Sequence, residues 1–181
     1  MKLKIVKDTN PIMRKKSEPV SLPLSKEDRE LIDEMLNYLK LSQDEEYASK
    51  HNIRVGVGLA AIQVGALKRM FAIYYPKGEK EIVQYQLINP VIVEESVKKC
   101  ALEGGEGCLS VDKDREGLVH RHFKIRMKAF DALQNKDIEI VARGYDAIVL
   151  QHEYDHLNGM FYYDRINLNA PKEALPNEEI I

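Results

Sequence analysis

The residues with the sharpest chemical spacing in this chain are His152 and His156, with Glu153 directly after the first of them. Histidines at i and i+4 lie one helical turn apart on one face, with Cβ atoms about 5–6 Å apart. Both imidazoles can then reach a single cation, and the neighbouring glutamate can address a water held there. Tyr145, Ile148, Val149 and His152 share a face by the 3.6-residue period, so His152 is expected to point inward. A buried histidine pair beside a buried glutamate is costly without a partner, which favours metal binding over two surface histidines.

A helical pair leaves the coordination incomplete, because a catalytic zinc-type site takes three protein ligands and keeps one position for water. Three readings of the third ligand are open. A histidine at position 162 would complete a longer peptidase pattern for which Gly159 is in place, but residue 162 is Tyr. Glu173 or Glu178 would give a thermolysin-like peptidase, yet both lie in a proline-containing tail with no helical frame to aim them. Cys108 is the third candidate, since a thiolate is a strong ligand for a borderline-soft metal. It stands between Gly107 and Leu109 in a glycine-rich stretch that suits close approach. Cys100 reads as a small buried hydrophobe, and a Cys100–Cys108 disulfide is disfavoured in a reducing compartment.

The elements that must position these residues are legible in outline. Residues 1–24, with Pro11, Pro19 and Pro23, read as an extended arm. Ser25 is an N-cap candidate, and Leu31, Ile32, Met35, Leu36 and Leu39 follow at helical spacing, giving an amphipathic helix over about 26–39. The polar stretch 41–54 either extends that helix or forms a loop. Residues 56–65 read as a turn into a short helix with Gly65 past its end. Strands are expected at 70–75, stopped by Pro76, at 82–88, stopped by Asn89-Pro90, and at 91–97. Two more, at about 123–131 and 138–143, flank a hairpin at Gln134-Asn135-Lys136. A helix over 145–158 ends at Gly159, and the tail from Asn167 has no assignment. Consecutive strands with helices at either end indicate an α+β fold.

Bulk properties narrow the setting. At 181 residues the chain is expected to form one domain, 1–181. A net charge of −2 from 27 basic and 29 acidic residues lacks the clustered Lys and Arg of a nucleic-acid binder. No segment approaches the roughly 20 apolar residues of a membrane span, and the N-terminus has neither signal-peptide nor transit-peptide character. The expected location is the cytoplasm, with no membrane and no sequence-specific nucleic-acid partner.

Three ordered segments, Gly56 to Gln63, Glu106 to Ser110 and Gln151 to Gly159, together resemble the signature motifs of the peptide deformylases, GxGxAAxQ, EGCLS and QHExDHLxG. All fixed positions are present. The stretch 41–54 and the run Leu118 to His122 are similar to the subgroup found mainly in Gram-positive bacteria. The resemblance implies an α+β fold with antiparallel sheets packed around the helix that holds the HExxH motif, and a hydrolase that removes the formyl group from N-formylmethionine of nascent polypeptides at the ribosome. It implies Cys108, His152 and His156 as metal ligands and Glu153 as acid/base, with the Gln63 amide and the Leu109 backbone N–H as oxyanion donors. Gly58 and Gly107 would line the peptide cleft, and Val57 and Ile148 the methionine pocket. The site chemistry alone points first to zinc; the resemblance points to Fe2+, with Ni2+, Co2+ or Zn2+ as other occupants. The competing reading is a small HExxH metallopeptidase with its third ligand downstream.

Overall fold

A computed structural model describes residues 3–181; Met1 and Lys2 lie outside the described residues. The N-terminal arm is extended from Leu3 except for a 3-10 turn at Pro11–Arg14, where the Asn10 side chain accepts the Ile12 N–H. Helix α1 (Lys26–Ser42) starts at the expected cap: Ser25 accepts the Asp28 N–H. It runs past residue 39 to Ser42. The chain then breaks, and α2 (Glu45–His51) begins afresh because the Asp44 side chain accepts the Tyr47 N–H. Asn52, left-handed at φ 52°, ends it.

Strand β1 (Gly58–Ala60) stands where a turn was expected. The short 3-10 helix at Ala61–Val64 follows, closed by Gly65 at φ 89° as anticipated. β2 (Met70–Lys77) runs through Pro76 instead of stopping there. Its β1 partner covers only Phe71 to Ile73, so Pro76 lies beyond it, where a missing N–H costs no ladder bond. β3 (Glu81–Glu95) is one long strand where two were expected. Asn89-Pro90 is a bulge within it: Asn89 has φ 50° and the register jumps between Ile88 and Val91. The Asn89 side chain satisfies both backbone polar groups of Val20 at 2.8 Å each, which pins the bulge to the N-terminal arm.

The short β4 (Lys99–Ala101) and β5 (Arg121–His122) follow, then β6 (Lys124–Asp131) and β7 (Lys136–Arg143). β6 and β7 form the expected hairpin, with Asn135 left-handed in its turn. α3 (Tyr145–His156) carries both histidines and Glu153, and Gly159 turns at φ 72° beyond it. The unassigned tail ends in β8 (Glu179–Ile180), which adds to β4 in parallel.

The strands form two sheets, ordered β1-β2-β3-β6-β7 and β5-β4-β8, and the larger is antiparallel throughout. This is the expected α+β arrangement. One face of the larger sheet packs Met70, Ala72 and Ile88 against Ile32, Met35 and Leu39 of α1. The second core joins Ile73, Ile125, Met127 and Ala142 of the strands to Val149 and Leu150 of α3. α3 also touches β5 of the small sheet. A helix enclosed by two sheets is apolar on several sides, so its residues show no single stripe.

Candidate metal centre and its cleft

α3 brings His152 and His156 to one side, and the glycine-rich segment before Leu109 brings Cys108 against them. The three candidate donor atoms lie within 4.8 Å of one another. Cys108 Sγ is 3.4 Å from His156 Nε2. His152 donates Nδ1–H to Glu106 Oε2 at 2.8 Å, which leaves its Nε2 for a cation. Such a carboxylate behind a histidine fixes the tautomer and ring orientation of a ligand. A thiolate and two imidazoles fit a divalent transition metal. Burial pushes the His156 imidazole well below its usual pKa, toward the neutral form that ligates. Burial also disfavours a charged His152, yet the hydrogen bonds to Cys108 and Glu106 outweigh it and hold its proton. A cation at this position would compete with that proton.

Glu106 is itself held from behind. Arg121, fully buried, donates Nε–H to Glu106 Oε1 at 2.6 Å and an Nη2 proton to Oε2 at 2.9 Å. Its other arm reaches Asp155 Oδ2 at 3.0 Å, and Arg165 grips Asp155 through both oxygens at 2.6 and 2.7 Å. Burial alone would raise the Glu106 carboxyl; Arg121 and then His152 overcome it and hold it at about 2. Two carboxylates and two guanidinium groups thus form a balanced, hydrogen-bonded network behind the metal ligands.

Glu153 is buried on α3, and its Oε2 has no hydrogen-bond partner. Burial pushes its carboxyl up to about 7, a suitable value for moving protons near neutrality. Gly58 of β1 lies directly against it: a Cβ there would come within 2.6 Å of Glu153 Cδ and 2.7 Å of Cγ. Gln63 is buried with its amide fixed. Its Oε1 accepts the Ala60 N–H at 2.8 Å, and Nε2 donates to Ser110 Oγ at 3.1 Å and toward Cys108 Sγ at 3.5 Å. The amide therefore sits beside the ligand sulfur. Leu109 follows Cys108 on the same wall.

An opening of about 250 Å³ leads to this centre. Gly56, Val57 and Gly58 form one wall, and Gly105 to Gly107 the other. A Cβ on Gly107 would meet nothing closer than Asp114 at 3.5 Å, so that glycine keeps space open rather than relieving a clash. Tyr145, Ile148, Val149 and His152, the face expected to turn inward, line the cleft floor. All ten residues singled out from the sequence therefore meet at one place.

The alternatives fare differently. Glu178 accepts from His120 Nδ1 at 2.8 Å, and neither it nor Glu173 belongs to the ligand cluster. Cys100 is a buried free thiol on β4, outside that cluster, and burial pushes it up to about 11. Sequence reading did not single out Arg121, Asp155, Arg165 or Ser110. Asp155 and Ser110 lie inside the quoted motifs and Arg121 inside the quoted run Leu118 to His122, where the resemblance was a signal; Arg165 had none.

The family model described as polypeptide deformylase matches residues 2–172. A peptide deformylase of Macrococcus caseolyticus is 48% identical over 171 residues, 94% of this chain and 92% of that protein. One from Staphylococcus epidermidis is 46% identical over 178 residues, 98% of this chain and 96% of that protein. Among solved structures, a probable peptide deformylase from Synechococcus phage S-SSM7 superimposes with a TM-score of 0.74 at 33% identity, covering 91% of this chain and all of that one. The Met-Ala-Ser-bound class I type b peptide deformylase of Acinetobacter baumannii gives 0.72 at 32% identity, covering 92% of this chain and 99% of that one. With its three motifs folded onto one metal-competent cleft and relatives matching over nearly its whole length, the chain belongs to the polypeptide deformylase family.

Proposed function

We propose that residues 1–181 act as one catalytic domain that hydrolyses the formyl group from N-formylmethionyl nascent polypeptides. The observation that supports this most directly is the juxtaposition of a three-donor cluster with a partnerless, buried Glu153 in a narrow cleft. Cys108, His152 and His156 would hold a divalent ion, Fe2+ in the cell by family resemblance, with Ni2+, Co2+ or Zn2+ as substitutes. Bound there, the ion supplies Lewis acidity that makes water nucleophilic near neutral pH.

The chain's own residues do the rest. Glu153 takes the proton from the attacking water and returns it to the departing amine, as a carboxyl near 7 can do in both directions. The Gln63 amide and the Leu109 N–H stabilise negative charge developing on the formyl oxygen; one such donor contributes on the order of 10²–10³ in rate. Gly58 and Gly107 receive the extended peptide backbone, and Val57 and Ile148 bound the methionine side chain. An opening of about 250 Å³ suits an extended N-terminus. The Acinetobacter structure is bound to Met-Ala-Ser, which supports a peptide beginning with methionine as the occupant of this cleft. No helix is long and apolar enough to cross a membrane among the described residues, and we place the enzyme in the cytoplasm, acting at the ribosome.

The test is anaerobic turnover of formyl-Met-Ala-Ser beside acetyl-Met-Ala-Ser, with metal content read on the same sample. Formate from the first peptide only, lost in Glu153→Ala with metal retained, is the expected result. A sample with about one metal per chain and no formate release would overturn the reading.

A further inference from the structure

Two openings of the surface meet at Arg54 and Leu109. One is the cleft above the metal ligands. The other is a groove of about 960 Å³ between the N-terminal arm, α1 and α2. Arg54 and Leu109 line both. The chain direction relates them: Gly58 stands against Glu153, and Arg54 lies four residues before it. Fully extended at about 3.3 Å per residue those four residues would span roughly 13 Å, and the chain bends at Val57, so the groove begins no more than about 13 Å from the acid/base along this segment. A peptide whose first residue lies at Gly58, and which runs beside this segment, reaches Arg54 with its fourth or fifth residue.

We propose that the groove receives the substrate polypeptide from about its fourth residue onward, as an extended segment. This rests on the deformylase reading, in which a long chain must leave the cleft behind its formylated end. Continuity with the cleft is the first support. The second is the character of the walls. The Tyr47 and His51 rings stack at 3.9 Å, and with half-buried Tyr38, Leu41 and Ile5 they offer an aromatic and apolar surface. Such surfaces hold extended peptides with little sequence demand. The third is charge on the arm side. Lys7 pairs with Asp112 at 2.6 Å and Arg54 with Asp114 at 3.3 Å, so Lys4 sets the sign along the arm side of the groove and favours an acidic residue in the segment that lies there.

The experiment compares kcat/KM for formyl-Met-Ala-Ser, formyl-Met-Ala-Ser-Asp-Leu-Phe and the same hexapeptide with Lys in place of Asp. The expected result is a three- to tenfold higher kcat/KM for the Asp hexapeptide over the tripeptide, expressed in KM, with the Lys peptide between them. The double variant Lys4→Glu, Tyr47→Ala is expected to keep the tripeptide rate, which shows that it folds, and to lose the gain. Equal values for the three peptides, or a gain that persists in the double variant, would overturn the proposal. Failure on the tripeptide itself would instead overturn the deformylase reading beneath it.

Discussion

Replacing Gly58 by Ala tests whether the close approach of β1 to α3 holds the acid/base in place. The added methyl carbon would lie 2.6 Å from Glu153 Cδ and 2.7 Å from Cγ, against a normal carbon–carbon separation of about 3.5–4.0 Å. Something must move by about 1 Å. Gly58 is fixed in register with Ile73, and Val57 accepts the Tyr74 N–H at 2.9 Å, so the strand resists. Glu153 Oε2 has no partner, so the carboxylate yields. A misplacement of 1 Å costs about 10²-fold, and full loss of acid/base action costs about 10²–10⁴. We expect kcat on formyl-Met-Ala-Ser to fall by about 10²-fold, equivalent to about 2.7 kcal/mol of barrier. Metal content should stay near one per chain, because the three atoms nearest the added methyl all belong to Glu153 and none to a ligand. Overpacking is expected to lower stability by about 1–3 kcal/mol, read as a shift in Tm. In a Glu153→Ala background the same methyl should cost no further activity, since its target is gone. A Gly58→Ala enzyme that holds metal and turns over within threefold of the parent would refute this account of how Glu153 is positioned.

Three further outcomes follow from the site. Glu106→Gln keeps the shape behind His152 but removes the charge, and metal affinity is expected to fall about 10–100-fold, measured by competition with a chelator. Arg121→Met leaves the Glu106 and Asp155 carboxylates without their shared buried partner, which should cost about 3–5 kcal/mol in urea unfolding at pH 7. Because Arg121 depresses the folded pKa of Glu106, its stabilisation is complete above the unfolded carboxylate value and fades as pH falls through about 4 toward 2. The deficit of the variant should therefore shrink at pH 4; an equal deficit at both pH values would show that packing, not charge, is lost. Cys100→Ser should leave metal content and formate release unchanged, since Cys100 lies outside the ligand cluster; loss of metal would make it a fourth ligand and the centre a structural one.

The legible part of this protein is what local spacing encodes. The i, i+4 histidines, the Ser25 cap, the Gly65 and Gly159 helix stops and the Asn135 turn each depend on a few adjacent residues, and each appears where expected. Asn89-Pro90 shows the limit of such signals. Locally the pair reads as a strand stop, but Val20, 69 residues earlier, accepts and donates to the Asn89 side chain and converts the stop into a bulge. β4, β5 and β8 have two or three residues each, too few for an alternating pattern, and exist because they pair with one another.

The face shared by Tyr145, Ile148, Val149 and His152 makes the same point about the site. Periodicity identifies residues that look in one direction; it does not say what stands opposite. Opposite this face is a cleft, kept open where Gly58 and Gly107 present no side chains, while a Cβ on Gly56 would press on Leu109 and Leu39. The charge network is further still from local reading. Glu106, Arg121, Asp155 and Arg165 come from four parts of the chain and share no period; the motifs mark Glu106 and Asp155 as fixed positions but do not show that the four charges meet. Glu106, Arg121 and Asp155 are buried, and their burial is tolerable because each faces an opposite charge, with Arg121 between the two carboxylates and the more exposed Arg165 on Asp155. That same dependence makes the set rigid, and rigidity behind His152 is what a metal ligand requires.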